Sequence, residues 1–125
     1  MKNFWIFVAI SGALAVIMGA MSAHALKDSL SIEDIARIQT AATYQMYHTL
    51  IIAVLTVYYQ YKPIQPIKQS SWIFAMGIVM FSGSLYAYTF SKIHAMVFIT
   101  PIGGMLFILG WLSLIRLTVN TDKSE

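Results

Sequence analysis

Residues 3–26 read NFWIFVAISGALAVIMGAMSAHAL and contain no Lys, Arg, Asp or Glu. Three further stretches also lack charged residues, namely residues 38–61, 69–91 and 93–115. Each stretch is 23 or 24 residues long, and a helix needs about 20 apolar residues to cross the hydrocarbon core of a bilayer. The four stretches make up most of the 125-residue chain. The sequence therefore predicts an all-α integral membrane protein, a bundle of four transmembrane helices.

The composition excludes several classes of protein. Hydrophobic residues make up 58% of the chain and charged residues only 10%, whereas soluble domains carry about 25% charged residues. So few charges cannot cover the surface of a soluble enzyme, a nucleic-acid-binding module or a disordered tail. The net charge of +3 is typical of basic loops that contact anionic lipid head groups, so we expect membrane lipids and not nucleic acid as partners. With no cysteine, disulfides, thiolate nucleophiles and thiolate metal sites are excluded.

The first apolar stretch imitates a secretory signal peptide, because Lys2 precedes it and Ala23-His24-Ala25 resembles a cleavage site. A cleaved signal, however, has an apolar region of about 7–15 residues. Here the apolar region runs from Phe4 to about Ala23. We therefore predict a permanent transmembrane span.

The distribution of basic residues predicts the orientation. The predicted spans, all in a single membrane domain of residues 1–125, cover about 4–24, 41–61, 71–90 and 95–116. The side with both termini and the 62–70 loop holds five of the eight basic residues: Lys2, Lys62, Lys68, Arg116 and Lys123. The other side holds three: Lys27, Arg37 and Lys92. The positive-inside rule then predicts cytoplasmic termini in a bacterial inner membrane protein, with Trp5, Trp72 and Trp111 forming an aromatic belt on that side.

Two connecting segments carry local signals. Ser31 followed by Asp34 is a weak capping-box start, and isoleucines at 32, 35 and 38 form a narrow apolar stripe. We expect an amphipathic helix at about 31–40 that lies at the outer interface and runs into the second span. Pro63 and Pro66 predict that the 62–70 segment is a short turn.

Polar residues gather at mid-depth or in the outer half of every span. We predict that they form one layer, a candidate ligand-binding pocket of His24, Tyr44, Gln45, His48, Ser82, Ser84, Tyr86 and Thr100. Small residues at helical spacing predict close helix packing. These are Gly12, Ala15, Gly19, Ala23, Gly83, Gly103, Gly104 and Gly110.

His48 is the most informative of these residues, because it lies roughly 10 Å inside its span at 1.5 Å per residue. An ionisable group at that depth is costly and indicates a functional site. The alternative is a neutral histidine that bonds to Gln45, Tyr44 or a serine of the third span and only fixes packing. His24 and His94 fall on the same side, but the spacing of the three histidines matches no metal-binding pattern. No metal site and no cofactor are therefore predicted.

The ordered polar motifs resemble the domain of unknown function 423 family of small bacterial inner-membrane proteins. The motifs that carry the resemblance are Gly19-Ala20-Met21-Ser22-Ala23-His24, Tyr44-Gln45-x-x-His48, Phe81-Ser82-Gly83-Ser84-Leu85-Tyr86, Thr100-Pro101-x-Gly103-Gly104 and Gly110-Trp111. The family commonly reads Gly-Ala-Phe-Gly-Ala-His at the first motif, where this chain has Met21 and Ser22. The resemblance implies a four-span inner-membrane protein and no activity.

Three functions stay open at this point. The leading hypothesis is a non-enzymatic protein that binds or translocates a lipid or small ligand through the outer-half pocket. Translocation would need a homo-oligomer, because four short helices enclose little volume. The second is a structural or assembly protein whose polar layer only fixes packing and whose partner is another membrane protein. The third is a membrane metal, haem or quinone protein that uses His48. Catalysis by Ser82 or Ser84 with His48 is disfavoured, because no acidic residue lies within a span to orient the base.

Overall fold

The computed structural model describes residues 1–119, and every regular element in that range is helical. The helices are α1 (Lys2–Ala23), α2 (Ile32–Tyr61), α3 (Gln65–Ser91) and α4 (Met96–Ser113). The prediction of an all-α fold with four helices is confirmed.

Three of the helical segments are long and apolar enough to cross a membrane: α1, α3 and the Met96–Val119 segment that begins with α4. α2 differs because its first half carries Tyr44, Gln45 and His48 among its apolar residues. At 30 residues and a rise of 1.5 Å per residue, α2 is about 45 Å long and exceeds the thickness of a hydrocarbon core. The charged residues of its first two turns and the polar residues of the candidate site both lower its mean hydropathy.

Sequential neighbours make the extensive contacts, α1 with α2, α2 with α3, and α3 with α4. α2 and α3 form the centre of the bundle, and α1 and α4 flank this pair. The apolar core lies between all four helices and includes fully buried Ile52, Ile67 and Phe74. Phe4 from α1 and Phe107 from α4 join the same core.

Glycines set the α3–α4 seam. A Cβ built on Gly103 would lie 2.3 Å from the backbone nitrogen of Phe81, so the two helix backbones touch at this point. Cβ atoms built on Gly77 and Gly110 would lie 2.6 and 2.7 Å from the rings of Phe107 and Phe74. These glycines give the two phenylalanine rings the space to interdigitate.

The connections differ from the sequence prediction at one point. α3 begins at Gln65, so the turn is shorter than residues 62–70 and Pro66 lies in the first helical turn. Proline is tolerated there because the first backbone N–H groups of a helix have no intrahelical acceptor. At the other end of α2, the predicted cap is confirmed, since the Asp34 backbone N–H donates to Ser31 Oγ at 3.1 Å. The helix then continues without a break from the outer segment into the bundle.

Candidate functional site

A cavity of about 310 Å³ lies between α1, α2 and α3. Four polar side chains contribute to its wall: Ser11, Gln45, Ser82 and Tyr86. The rest of the wall is apolar or backbone and comes from Phe7, Ile10, Leu14, Ile78, Val79 and Gly83. No lining residue carries a charge. We call this space the α1–α2–α3 cavity.

Gln45 is the centre of the polar wall. Its Nε2 donates to the Ser11 carbonyl oxygen at 3.0 Å and to Ser11 Oγ at 3.1 Å. Its Oε1 accepts from the Tyr86 hydroxyl at 2.7 Å. One side chain of α2 thus joins α1 to α3. Gln45 is 4% exposed, so losing one of these bonds would leave a buried amide unsatisfied.

The cavity opens at the side of the bundle. Ile10, Leu14 and Val79 line it and are also 46–57% exposed, on the surface that faces lipid in a membrane. Gly83 lies in the wall, and a Cβ built on it meets no atom within 4 Å. The cavity is therefore open at the side of the bundle rather than at one of its ends.

His48 points away from this cavity, towards α4. Its ring stacks on Phe107 with the ring centroids 3.6 Å apart and an angle of 5° between the planes. Nδ1 lies 2.6 Å from the carbonyl oxygen of Tyr44, which can only accept, so Nδ1 carries the proton. Nε2 accepts from Nε1 of Trp111 at 3.1 Å. Both nitrogens of a neutral imidazole are thereby satisfied.

The bond to Trp111 joins α2 to α4. The sequence places Trp111 in an aromatic belt on the side of the two termini. Its indole Nε1 is the donor to His48, and its ring also packs edge-on against Phe74.

The eight candidate ligand-binding residues do not share one pocket. The α1–α2–α3 cavity brings together Gln45, Ser82 and Tyr86. On the α4 side, Tyr44 and His48 pack against Phe107. Ser84 bonds to Thr100 across the α3–α4 seam, and His24 is exposed at the end of α1.

The small residues predicted to pack closely also divide into groups. Four of them contact a neighbouring helix or are buried: Gly12, Ala15, Gly103 and Gly110. Gly104 makes ordinary contact with the Phe81 ring at 3.8 Å. Gly19 and Gly83 face open space, and Ala23 is exposed in the single chain.

Sequence reasoning missed Ser11 and Thr49, whose hydroxyl oxygens lie 2.7 Å apart in the buried α1–α2 interface. A signal for Thr49 was present, because it follows Gln45 by four residues and so lies on the same helix face. Ser11 gave no such signal, since a single serine in an apolar run usually bonds within its own helix.

The metal alternative finds no donor set in residues 1–119, where no group of three or more His, Asp or Glu side chains is close enough to hold an ion. His24, His48 and His94 therefore do not converge within that range.

Asp34 anchors a charged cluster outside the span predicted at 41–61. Its carboxylate pairs with Arg37 of the same helix, and Lys92 Nζ at the end of α3 lies 2.6 Å away. The hydrogen bond from Lys92, followed by those from Arg37 and Ser31, holds the pKa of Asp34 below its ordinary value of 3.8 despite the opposing effect of burial. The cluster ties the start of α2 to the end of α3, and Tyr88 adds a ring 4.6 Å from the Arg37 guanidinium.

Comparisons with known proteins give a consistent result. A family model described as "Protein of unknown function (DUF423)" matches residues 18–104. A "UPF0382 membrane protein" of Haemophilus influenzae is 42% identical over 116 residues, covering 91% of this chain and 92% of the relative. A "UPF0382 membrane protein" of Staphylococcus epidermidis is 41% identical over 119 residues, or 95% of this chain and 97% of the relative. The "UPF0382 inner membrane protein YgdD" of Escherichia coli K12 is 42% identical over 106 residues, or 85% of this chain and 81% of the relative. No solved structure matches the chain.

Proposed function

Because the chain belongs to the DUF423 family of membrane proteins, whose function is unknown, we propose a function from the site itself. The protein binds one uncharged, lipid-like molecule in the α1–α2–α3 cavity. The observation that carries this proposal is an amide–phenol pair, buried Gln45 with half-buried Tyr86, in the wall of a largely apolar cavity that opens at the side of the bundle. Binding sites for small molecules combine these two features, an apolar enclosure and a few placed polar groups.

The absence of charge from the cavity wall supports a neutral occupant. A charged group transferred into a wall of this kind would lose its hydration without gaining a counter-ion. The cavity volume of about 310 Å³ is at the lower end of the roughly 300–1,000 Å³ of ligand sites. A lipid with a single hydrocarbon chain fits this volume better than a whole phospholipid with two acyl chains.

The placement in the membrane is part of the proposal. All four helices cross a bacterial inner membrane, both termini lie in the cytoplasm, and membrane lipids surround the bundle. The cavity then lies near mid-depth, since Gln45 bonds to Ser11 and Ser11 lies near the middle of α1. A second copy of the chain or another membrane protein would cover the remaining apolar faces if the bound molecule is also translocated.

A second candidate function, a purely structural polar layer, is favoured by a different observation. His48 uses both ring nitrogens within the protein and stacks on Phe107. This arrangement fixes the position of α4 against α2 and needs no ligand. The two functions are compatible, because Gln45 bonds to α1 and α3 whereas His48 bonds to α4.

Native mass spectrometry of the protein released from mild detergent tests the proposal. We expect the wild type to retain a bound small molecule of defined mass. Gly83→Leu places a side chain in the open space of the cavity and should abolish retention. The matched control is Gly19→Leu, at a glycine with equally open surroundings that does not line the cavity. Equal retention by Gly83→Leu and the control, or no retained mass in any of the three proteins, contradicts the proposal.

A further inference from the structure

The hydrogen bonds around the cavity determine which groups are left for a ligand. The Ser11 carbonyl oxygen can only accept, so the nitrogen of the Gln45 amide must face it. That nitrogen donates to the carbonyl oxygen and to Oγ of Ser11, and the Gln45 side chain is only 4% exposed. The amide oxygen of Gln45 is left to accept from Tyr86. Gln45 therefore has no hydrogen to offer to the cavity.

The Ser11 hydroxyl is committed in the same way. Thr49 Oγ1 lies 2.6 Å from the carbonyl oxygen of Gln45, and that oxygen can only accept, so the Thr49 hydrogen points to it. The 2.7 Å contact between Thr49 and Ser11 must then use the Ser11 hydrogen. Ser11 donates to Thr49 and accepts from Gln45, and it too has no hydrogen left.

The other two polar groups of the wall are donors to the protein as well. The Tyr86 hydroxyl donates to Gln45 Oε1 at 2.7 Å. The Ser82 hydroxyl donates to the carbonyl oxygen of Ala41 at 2.7 Å. Each of these oxygens keeps lone pairs that can accept. The cavity wall thus offers hydrogen-bond acceptors and has used all of its side-chain donors.

We infer that the α1–α2–α3 cavity selects a neutral long-chain molecule that ends in a hydrogen-bond donor, chemically a long-chain alcohol. This inference rests on the proposed function and names the ligand class for the same cavity. An alcohol donates its hydrogen to the hydroxyl oxygen of Tyr86, which is partly exposed whereas Ser82 is fully buried, without breaking any bond of the protein. An ether, ester or ketone of the same length finds no donor unless it breaks the Tyr86–Gln45 bond and leaves the buried amide oxygen unsatisfied.

The apolar part of such a molecule fits the rest of the wall. Its chain would lie against Ile78 and Phe7 and would leave the cavity past Ile10 and Val79, which are exposed to lipid. Burial of the chain alone gives little selectivity, because the surrounding hydrocarbon is equally apolar. The hydrogen bond of the terminal group therefore decides which molecule is retained.

The test compares n-dodecanol with its methyl ether at equal mole fraction in lipid nanodiscs that contain the full-length protein. Native mass spectrometry measures the fraction of protein that retains each probe, for the wild type, Gly83→Leu and Gly19→Leu. We expect the wild type and Gly19→Leu to retain the alcohol about three- to tenfold more than the ether, the worth of one neutral hydrogen bond. Gly83→Leu should retain neither probe.

The other outcomes separate the inference from the proposed function. Equal retention of both probes that is lost in Gly83→Leu would overturn the donor selectivity and leave the binding site in place. Preference for the ether would show that the wall offers a donor and would also overturn the inference. If the wild type retains no more of either probe than Gly83→Leu does, the proposed function fails and the inference fails with it.

Discussion

The contact between Gly103 and the backbone of α3 gives the sharpest stability prediction. In Gly103→Ala, the new Cβ would lie 2.3 Å from the Phe81 backbone nitrogen and 2.7 Å from its Cα. An ordinary contact begins at 3.4 Å, so the two helices must separate by about 1 Å. Backbone atoms cannot rotate out of the way as a flexible side chain can. Overpacking of this kind costs about 1–3 kcal/mol.

The neighbouring residue provides the control. In Gly104→Ala, the new Cβ would lie 3.8 Å from the Phe81 ring, an ordinary contact. Alanine favours a helix by about 1 kcal/mol over glycine, so this variant should be as stable as the wild type or more stable. The same gain applies at residue 103, where the overpacking must exceed it. Of these two adjacent substitutions of the same kind, only Gly103→Ala should therefore be less stable than the wild type.

Thermal unfolding of the two variants in one detergent, followed by circular dichroism, measures the difference. We expect Gly103→Ala to have a lower midpoint temperature than the wild type. Gly104→Ala should have a midpoint equal to or higher than that of the wild type. If Gly103→Ala unfolds at the same temperature as Gly104→Ala, the α3 and α4 backbones do not touch as described.

Three further predictions concern other parts of the molecule. His48→Ala leaves the Trp111 N–H without its acceptor and should lower the free energy of unfolding by about 1–3 kcal/mol. The double variant with Trp111→Phe should lose less stability than the sum of the two single variants. Strict additivity would argue against the bond. The folded-state pKa of Asp34 is lowered, so the contribution of its carboxylate to the free energy of unfolding is present above pH 3.8 and is lost as the pH falls through the lowered pKa. Asp34→Asn should therefore flatten the acid side of a plot of stability against pH. An unchanged plot would rule out this contribution. Cysteines placed at exposed Ser29 and Tyr61 should show labelling by an impermeant reagent in intact cells at residue 29 alone, and labelling at residue 61 alone would reverse the proposed orientation.

The number of helices followed from the sequence because charge is costly in a membrane, although α2 and α3 begin earlier than the charge-free stretches, at Ile32 and Gln65. Four charge-free stretches gave four helices, and the Ser31 cap gave the start of α2. The turn before α3 was predicted too long, because Pro66 signals a helix break and a helix start equally well. One sequence cannot separate these two roles of proline.

The candidate site was harder to predict because α2 has neighbours on two sides. Gln45 and His48 are three residues apart, and the expectation of a shared face treated them as one group. The structure directs Gln45 to α1 and α3, and His48 to α4. The helix pattern places residues around an axis, but it does not show where the next helix stands. The polar layer is therefore several small networks rather than one pocket.

Occupancy of the α1–α2–α3 cavity is tested most directly by methyl NMR of the protein in bicelles during a titration with n-dodecanol. The account predicts saturable shifts at Ile10 and Ile78, which line the cavity, and none at Leu112, which is exposed on α4. Gly83→Leu should abolish the shifts. Shifts of equal size at all three methyl groups, or shifts that persist in Gly83→Leu, would show that the alcohol only dissolves in the surrounding lipid and would contradict the account.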